Sequence, residues 1–254
     1  MSWASRRKTG YLLGVFIFFA LPISIIGFFL WYEAPTCFDG LLNGGESAID
    51  KGGPCELLDE RALIPHAVLW ARPFMVRAGL FNAVAYIENP NQEAGVERVS
   101  YRIRLYDTNN VLVAERVGET YIIPGAITPV FEGSIDTGSR IAVRAFFEFT
   151  EPLVWHRLGG IAHTVPVSNK QLDAVDTAPR LDARVVNTEP RDRENLRMVA
   201  VIFDAAGNAF AASQTVLPLL VGKGQTNISF TWPVPFEREA ARVDILPLLA
   251  PVGL

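Results

Sequence analysis

Histidine and cysteine are scarce in this chain, with three His and two Cys among 254 residues. No His lies near the two thiols in sequence, and two thiols do not close a four-ligand zinc site, so zinc is not expected there. His66, His156 and His163 are scattered, with no H-E-x-x-H run and no carboxylate at fixed spacing. There is no C-x-x-C, which removes the dithiol redox site. A G-x-S-x-G nucleophile elbow, a P-loop and a G-x-G-x-x-G turn are also missing. With none of these catalytic sets present, a non-enzymatic protein is expected. Basic residues are not in excess: 23 Lys and Arg against 27 Asp and Glu give a net charge of −4. A nucleic-acid partner needs a basic surface, so none is expected. The mean hydropathy of +0.22 is high for a wholly soluble chain and points to one concentrated apolar block.

That block is YLLGVFIFFALPISIIGFFLWY, Tyr11 to Tyr32, 22 residues without a charge. As a helix it measures about 33 Å, enough for a hydrocarbon core ~30 Å thick. Pro22 lies inside it, which membrane helices tolerate. Arg6, Arg7 and Lys8 precede the run, and Glu33 and Asp39 follow. The positive-inside rule then places residues 1–10 in the cytoplasm and the bulk of the chain outside, with Trp31 and Tyr32 at the outer interface. A cleaved signal peptide would have an apolar region of about 7–15 residues and a small-residue cleavage site. This run is longer, and its exit Trp-Tyr-Glu-Ala-Pro-Thr-Cys has no A-x-A pattern. Ala34-Pro35-Thr36-Cys37 is a poor lipobox, and Ser5-Arg6-Arg7-Lys8 lacks the apolar positions of a twin-arginine signal. An uncleaved transmembrane helix over 11–32, in contact with lipid, is expected.

Cys37 and Cys55 fall just past this helix and are the only thiols. Outside the cytoplasm they can persist as a disulfide. The loop between them, with Gly44-Gly45 and Gly52-Gly53, suits tight turns. Asp39, Asn43, Glu46 and Asp50 put four oxygen side chains in it. That donor set suits a hard cation, which makes Ca²⁺ the one candidate cofactor. The competing reading is a solvated acidic loop whose Asp and Asn serve turns. Residues 33–60 also resemble a Cys-rich knuckle of secreted bacterial proteins, approximately C-x-D-G-x-x-N-x-x-E-x-x-x-D-C-G-G-x-C-x-x-C. Cys37, Asp39, Gly40, Asn43, Glu46, Asp50, Gly52, Gly53 and Cys55 match it. Lys51 and Leu58 replace its second and fourth cysteines, which leaves Cys37 and Cys55 as a self-consistent pair.

Beyond Glu60 the texture is that of strands. In Ser100–Asp107, SYRIRLYD, Tyr101, Ile103 and Leu105 alternate with Arg102, Arg104 and Tyr106. Arg140–Phe149 reads likewise, with Ile141, Val143, Ala145, Phe147 and Phe149 on one face and Arg140, Arg144 and Glu148 on the other. The order of features also repeats within the chain. The segment Ala83–Asn89 precedes Tyr101–Asp107 as Asp182–Asn187 precedes Met198–Asp204, and Asp107 and Asp204 carry hairpin-turn chemistry. Further on, Phe131 matches Phe230, and Arg140-Ile-Ala-Val matches Arg242-Val-Asp-Ile. Each copy is about the size of a β-sandwich. Ile103-Arg-Leu-Tyr-Asp107 and Ala200-Val-Ile-Phe-Asp204 resemble the FxLYD-type immunoglobulin-like domain of bacterial envelope proteins, though neither has the leading Phe. The tandem arrangement resembles membrane proteins of candidate-phylum bacteria. The resemblance implies a fold and no chemistry.

The expected fold is therefore an all-β ectodomain after one transmembrane helix. It comprises a cytoplasmic tail (1–10), the helix (11–32), a disulfide-closed knuckle (33–60) and two immunoglobulin-like sandwiches (61–158 and 159–254). Arg102, Arg104, Arg140 and Arg144 point away from the first core and form a candidate face for an anionic partner, the alternative being a solvated sheet face. The second copy has no such stripe; Val199, Val201 and Phe203 stand there as an apolar strip, expected to be exposed or to pack on the first domain or a partner. The function expected is binding or scaffolding in the bacterial envelope with a protein or envelope partner. The alternative is a subunit of a larger secretion- or pilus-type assembly.

Overall fold

The computed structural model describes residues 3–32, 34–158 and 164–250, in two compact units, Met1–Pro54 and Cys55–Leu254. Glu33, His163 and the expected boundary at Gly159-Gly160 lie outside the described residues.

In the first unit, helix α1 runs Trp3–Trp31 with Pro22 inside it, starting ahead of the expected Tyr11. Its stretch Lys8–Trp31, 24 residues, is long and apolar enough to cross a membrane. Phe16, Phe18, Leu21, Phe29 and Trp31 are all exposed, so the helix is apolar around its whole circumference. An apolar helix of this kind suits a membrane anchor or a signal sequence and not an amphipathic surface helix.

Among its described residues the second unit is all-β apart from one 3-10 turn, Glu60–Ala62. The first half has β1 (Ala67–Arg77), β2 (Leu80–Glu88), β3 (Ala94–Tyr106), β4 (Leu112–Ile122), β5 (Ile127–Asp136), β6 (Arg144–Phe149) and the short β7 (His156–Arg157). The second half has β8 (Val167–Asp173), β9 (Arg180–Val186), β10 (Arg193–Phe203), β11 (Ala209–Leu220), β12 (Gln225–Thr231) and β13 (Arg242–Leu248). All pairings are antiparallel. Sheets β1-β2-β5 and β4-β3-β6 of the first half recur in the second as β8-β9-β12 and β11-β10-β13. Pro73, Pro129, Pro218 and Pro247 all sit in strands, and each of those strands is a sheet edge, where a missing N–H costs no ladder bond.

Three apolar cores separate the four sheets. Tyr101, Ile103 and Leu105 of β3 meet Ala83, Ala85 and Ile87 of β2 in the first. Met198, Ala200 and Ile202 of β10 meet Leu181, Ala183 and Val185 of β9 in another, which also takes Ile123 from the first half. The third joins the halves: Trp70, Phe74, Val84 and Tyr86 pack against Val199, Val201, Phe203 and Ala212. The strip Val199, Val201 and Phe203 is thus fully covered by the first half. Two central strands, β2 and β10, are buried on both faces.

The register corrects the sequence matching. Tyr106 pairs with Arg144, and Phe203 with Arg242, so the counterpart of Arg242 is Arg144 and not Arg140. Arg140 instead corresponds to Arg238, since Arg140 pairs with Asp107 at 3.2 Å as Arg238 does with Asp204 at 3.0 Å. Phe131 lies in the junction core and Phe230 in the second half's own core, so these two face opposite ways and do not correspond. The strand expected from Arg140 begins only at Arg144, and Ile141 and Val143 are exposed while Ala142 is buried. The alternation holds only from Ala145 through Phe147 to Phe149, where the ladder with β3 sets the pleat.

Candidate functional site

The knuckle of the first unit is built from turns. Asp39 accepts hydrogen bonds from the Thr36 and Leu41 N–H groups and from Asn43 Nδ2. The Asp50 carboxylate accepts from the Gly40 N–H, and Glu46 Oε2 accepts from the Asp50 N–H at 3.1 Å. Donation by Asn43 and then by the two backbone N–H groups holds the Asp39 carboxyl below the usual carboxylate range. Gly53 sits at φ 53°, and a side chain there would meet the Gly45 carbonyl oxygen at 2.1 Å. The Asp39, Glu46 and Asp50 carboxylates thus accept from the loop's own backbone N–H groups and from Asn43, while Asn43 Oδ1 is buried with no hydrogen-bond partner among the described residues. Asp39, Glu46 and Asp50 do not gather within reach of one ion among the described residues. Cys37 and Cys55 form a disulfide, which indicates an oxidising compartment.

The arginine face is assembled in part. Arg102 and Arg104 lie side by side on β3, and Arg144 starts the neighbouring β6. Glu115 on β4 and Glu148 on β6 stand between them. Arg104 pairs with Glu115 at 3.2 Å and with Glu148, and Arg102 lies 3.8 Å from both carboxylates. Arg140 is apart, held by Asp107 in the β5–β6 connection. Of the four, Arg144 alone has no ion pair among the described residues.

Two buried asparagines, which carry no sequence motif, lock each half in the same way. Asn89 donates through Nδ2 to the Ala94 and Ile123 carbonyls, and its Oδ1 accepts from the Asn91 N–H. Asn187 donates to the Arg191 and Leu220 carbonyls and accepts from the Glu189 N–H. Asp107 and Asp204 likewise share one role. Each accepts two backbone N–H groups of its hairpin turn, from Asn109 and Val111 or from Ala206 and Asn208. Those N–H donors, foremost Val111 and Asn208, hold both carboxyls below their usual range. These aspartates are turn-formers.

A cleft of about 580 Å³ opens where the halves meet. Its apolar wall is Phe74 on β1, Phe210 on β11, and Trp232 and Phe236 after β12. The last three stack edge-on, with centroids 5.2 Å apart for Trp232–Phe236 and 5.3 Å for Phe210–Phe236. Arg72 reaches across from the first half to the Ala209 carbonyl at 3.3 Å and Asn208 Oδ1 at 3.4 Å. Asn82 donates to the Ala212 carbonyl at 3.4 Å. The loop beyond Trp232 is stapled by its N–H to the Pro179 carbonyl and by the Phe236 N–H to the Val175 carbonyl. Trp232 is 9% exposed, and its indole N–H has no hydrogen-bond partner. Neither His nor Cys lines the cleft. Aromatic walls and a tethered guanidinium are groups of the kind that line ligand sites. Sequence reasoning missed the cleft because Arg72, Phe210 and Trp232 come from both halves.

No protein-family model and no curated protein matches the chain. Among solved structures, red sea bream transglutaminase is similar at 11% identity and a TM-score of 0.21, over 72% of this chain and 30% of that one. At that score the likeness bears on neither fold nor chemistry.

Proposed function

We propose that this is a membrane-tethered, extracytoplasmic binding or scaffolding protein of the bacterial envelope, non-enzymatic, made of two tandem immunoglobulin-like sandwiches. The helix Lys8–Trp31 is the anchor, with the N-terminus cytoplasmic, and the Cys37–Cys55 disulfide agrees with a ectodomain outside the cytoplasm. The matching strand orders of the two halves support the tandem reading.

The junction cleft carries the binding assignment. It is the place where sheets of both halves bring aromatic walls and Arg72 together. A photo-crosslinking amino acid at Val234, a half-exposed residue of its rim, tests this in the full chain in its native membrane. A discrete crosslinked product that disappears in the Arg72→Glu variant is expected. A product unchanged by that substitution, or no product at all, contradicts the reading.

A further inference from the structure

One group of metal-ligating side chains lies outside the cleft and the knuckle. Glu56, Glu97 and His156 bring one ligand atom each to within 4.8 Å of one another. Their backbones arrive there by separate routes. His156 opens β7, where it is paired with Gly95 of β3 on one side and bridged to Leu57 on the other. Glu56 lies one residue before Leu57 and is held by the Arg157 N–H on its carbonyl at 2.7 Å. Glu97 follows Gly95 by two and sits in a β-bulge, where Glu97 and Arg98 together oppose Tyr121 between the Val96–Ile122 and Val99–Thr120 pairs. Bulges of this kind re-aim a side chain out of the pleat.

A second observation is independent of this grouping. Nδ1 of His156 is removed from water and has no hydrogen-bond partner among the described residues. Such a nitrogen is costly unless something binds it or its ring. The two glutamates also lack a cation: among the described residues no ion pair joins Glu56 or Glu97 to Lys, Arg or His. Glu115 and Glu148 on the sheets, by contrast, are matched by arginine.

We propose that Glu56, Glu97 and His156 form a binding site for a divalent transition-metal ion of the zinc class. One imidazole with two carboxylates is a borderline N/O donor set, which suits Zn²⁺ and its neighbours better than the all-oxygen preference of Ca²⁺. Three protein ligands leave a coordination position for water or for an external donor. The bound ion ties the segment that follows Cys55 to β3 and β7 and neutralises two unpaired carboxylates.

The test uses the full-length, detergent-solubilised chain after chelator treatment, with Zn²⁺ alone as the probe and equilibrium dialysis plus thermal unfolding as readouts. One Zn²⁺ per chain and a Zn²⁺-dependent rise in Tm are expected. E97Q and H156Q each should weaken binding at least tenfold, while Asp39→Asn and Glu46→Gln in the knuckle should not. E97Q changes only an exposed side chain, so its fold is retained and its result stands even if H156Q unfolds. Absence of Zn²⁺ binding by the unaltered chain overturns the proposal. So does binding that survives both E56Q and E97Q, or that is lost only with the knuckle variants.

Discussion

Replacing Tyr86 by Phe should make this protein more stable, although removing a buried tyrosine hydroxyl ordinarily does the reverse. Tyr86 is 2% exposed in the junction core, its ring 4.2 Å from Trp70 and 6.5 Å from Phe203. Its hydroxyl is out of water with no hydrogen-bond partner among the described residues. Burial first, and then the Asp244 carboxylate, push its ionisation far above the usual phenol range, so it is a neutral, unsatisfied polar group. An unpaired buried hydroxyl costs about 1–3 kcal/mol. Phe keeps the ring and its packing and forfeits only the contacts of one oxygen atom. The net expectation is a gain of about 1 kcal/mol, or about 2–4 °C in Tm for a unit of this size. Thermal and urea unfolding of the solubilised chain measure it. A loss of 1 kcal/mol or more refutes the reasoning, because it would mean that the hydroxyl is bonded, through ordered water or otherwise.

Phe203→Ala should cost about 3–5 kcal/mol, the range for a buried aromatic truncation, where an exposed strip would lose within about 0.5; the urea midpoint decides between them. Asp107 and Asp204 have carboxyl pKa values lowered from 3.8, so each contributes stability that is present above that value and lost as pH falls through the folded one. Asp107→Asn with Asp204→Asn should therefore flatten the acid limb of the stability–pH profile; an unchanged limb contradicts the turn assignment. Arg102→Val and Arg104→Val combined with Glu115→Val and Glu148→Val should turn the β4-β3-β6 outer face apolar and drive association, read as larger species by light scattering, and a variant that stays the size of the parent contradicts that expectation.

The legibility of these strands in the sequence depended on what covers each face. β3 was plain because Tyr101, Ile103 and Leu105 face a core while Arg102 and Arg104 face water, which is the period-two signal in its simplest form. β10 reads Met-Val-Ala-Val-Ile-Phe, and from sequence alone half of that run has no assigned cover. A run apolar at every position is what a strand buried on both faces requires. Only the second contact, with Val84 and Tyr86, distinguishes a covered strip from an exposed one. The ion pairs of the arginine face were not legible for a related reason. Glu115 and Glu148 neutralise Arg102 and Arg104 across two ladders, and pairing between strands is set by register, which composition does not reveal. The knuckle's acidic residues were recognised as a set, but whether an oxygen faces an ion or a backbone N–H is decided by the turn geometry at Gly40 and Asp50.

The register explains why two halves of one strand order carry unlike surfaces. Counting from Asn89 and Asn187, Val84 and Tyr86 of β2 stand where β9 has Asp182 and Arg184. Counting from Asp107 and Asp204, Arg102, Arg104 and Tyr106 of β3 stand where β10 has Val199, Val201 and Phe203. Each half is thus apolar on one outward sheet and charged on the other, and the assignment is reversed between them. The junction joins non-equivalent faces, a head-to-tail contact. Contacts of that kind do not close by symmetry and can add units without limit. The charged faces end the stack. Asp182 takes Arg180 and the Ser229 hydroxyl at one end, and Glu115 and Glu148 hold Arg102 and Arg104 at the other. Exposed ion pairs of this type add little to stability. Their physical effect is to leave the two outer sheet faces charged, so that the apolar face of each half is the one covered in the junction, where the cleft also opens.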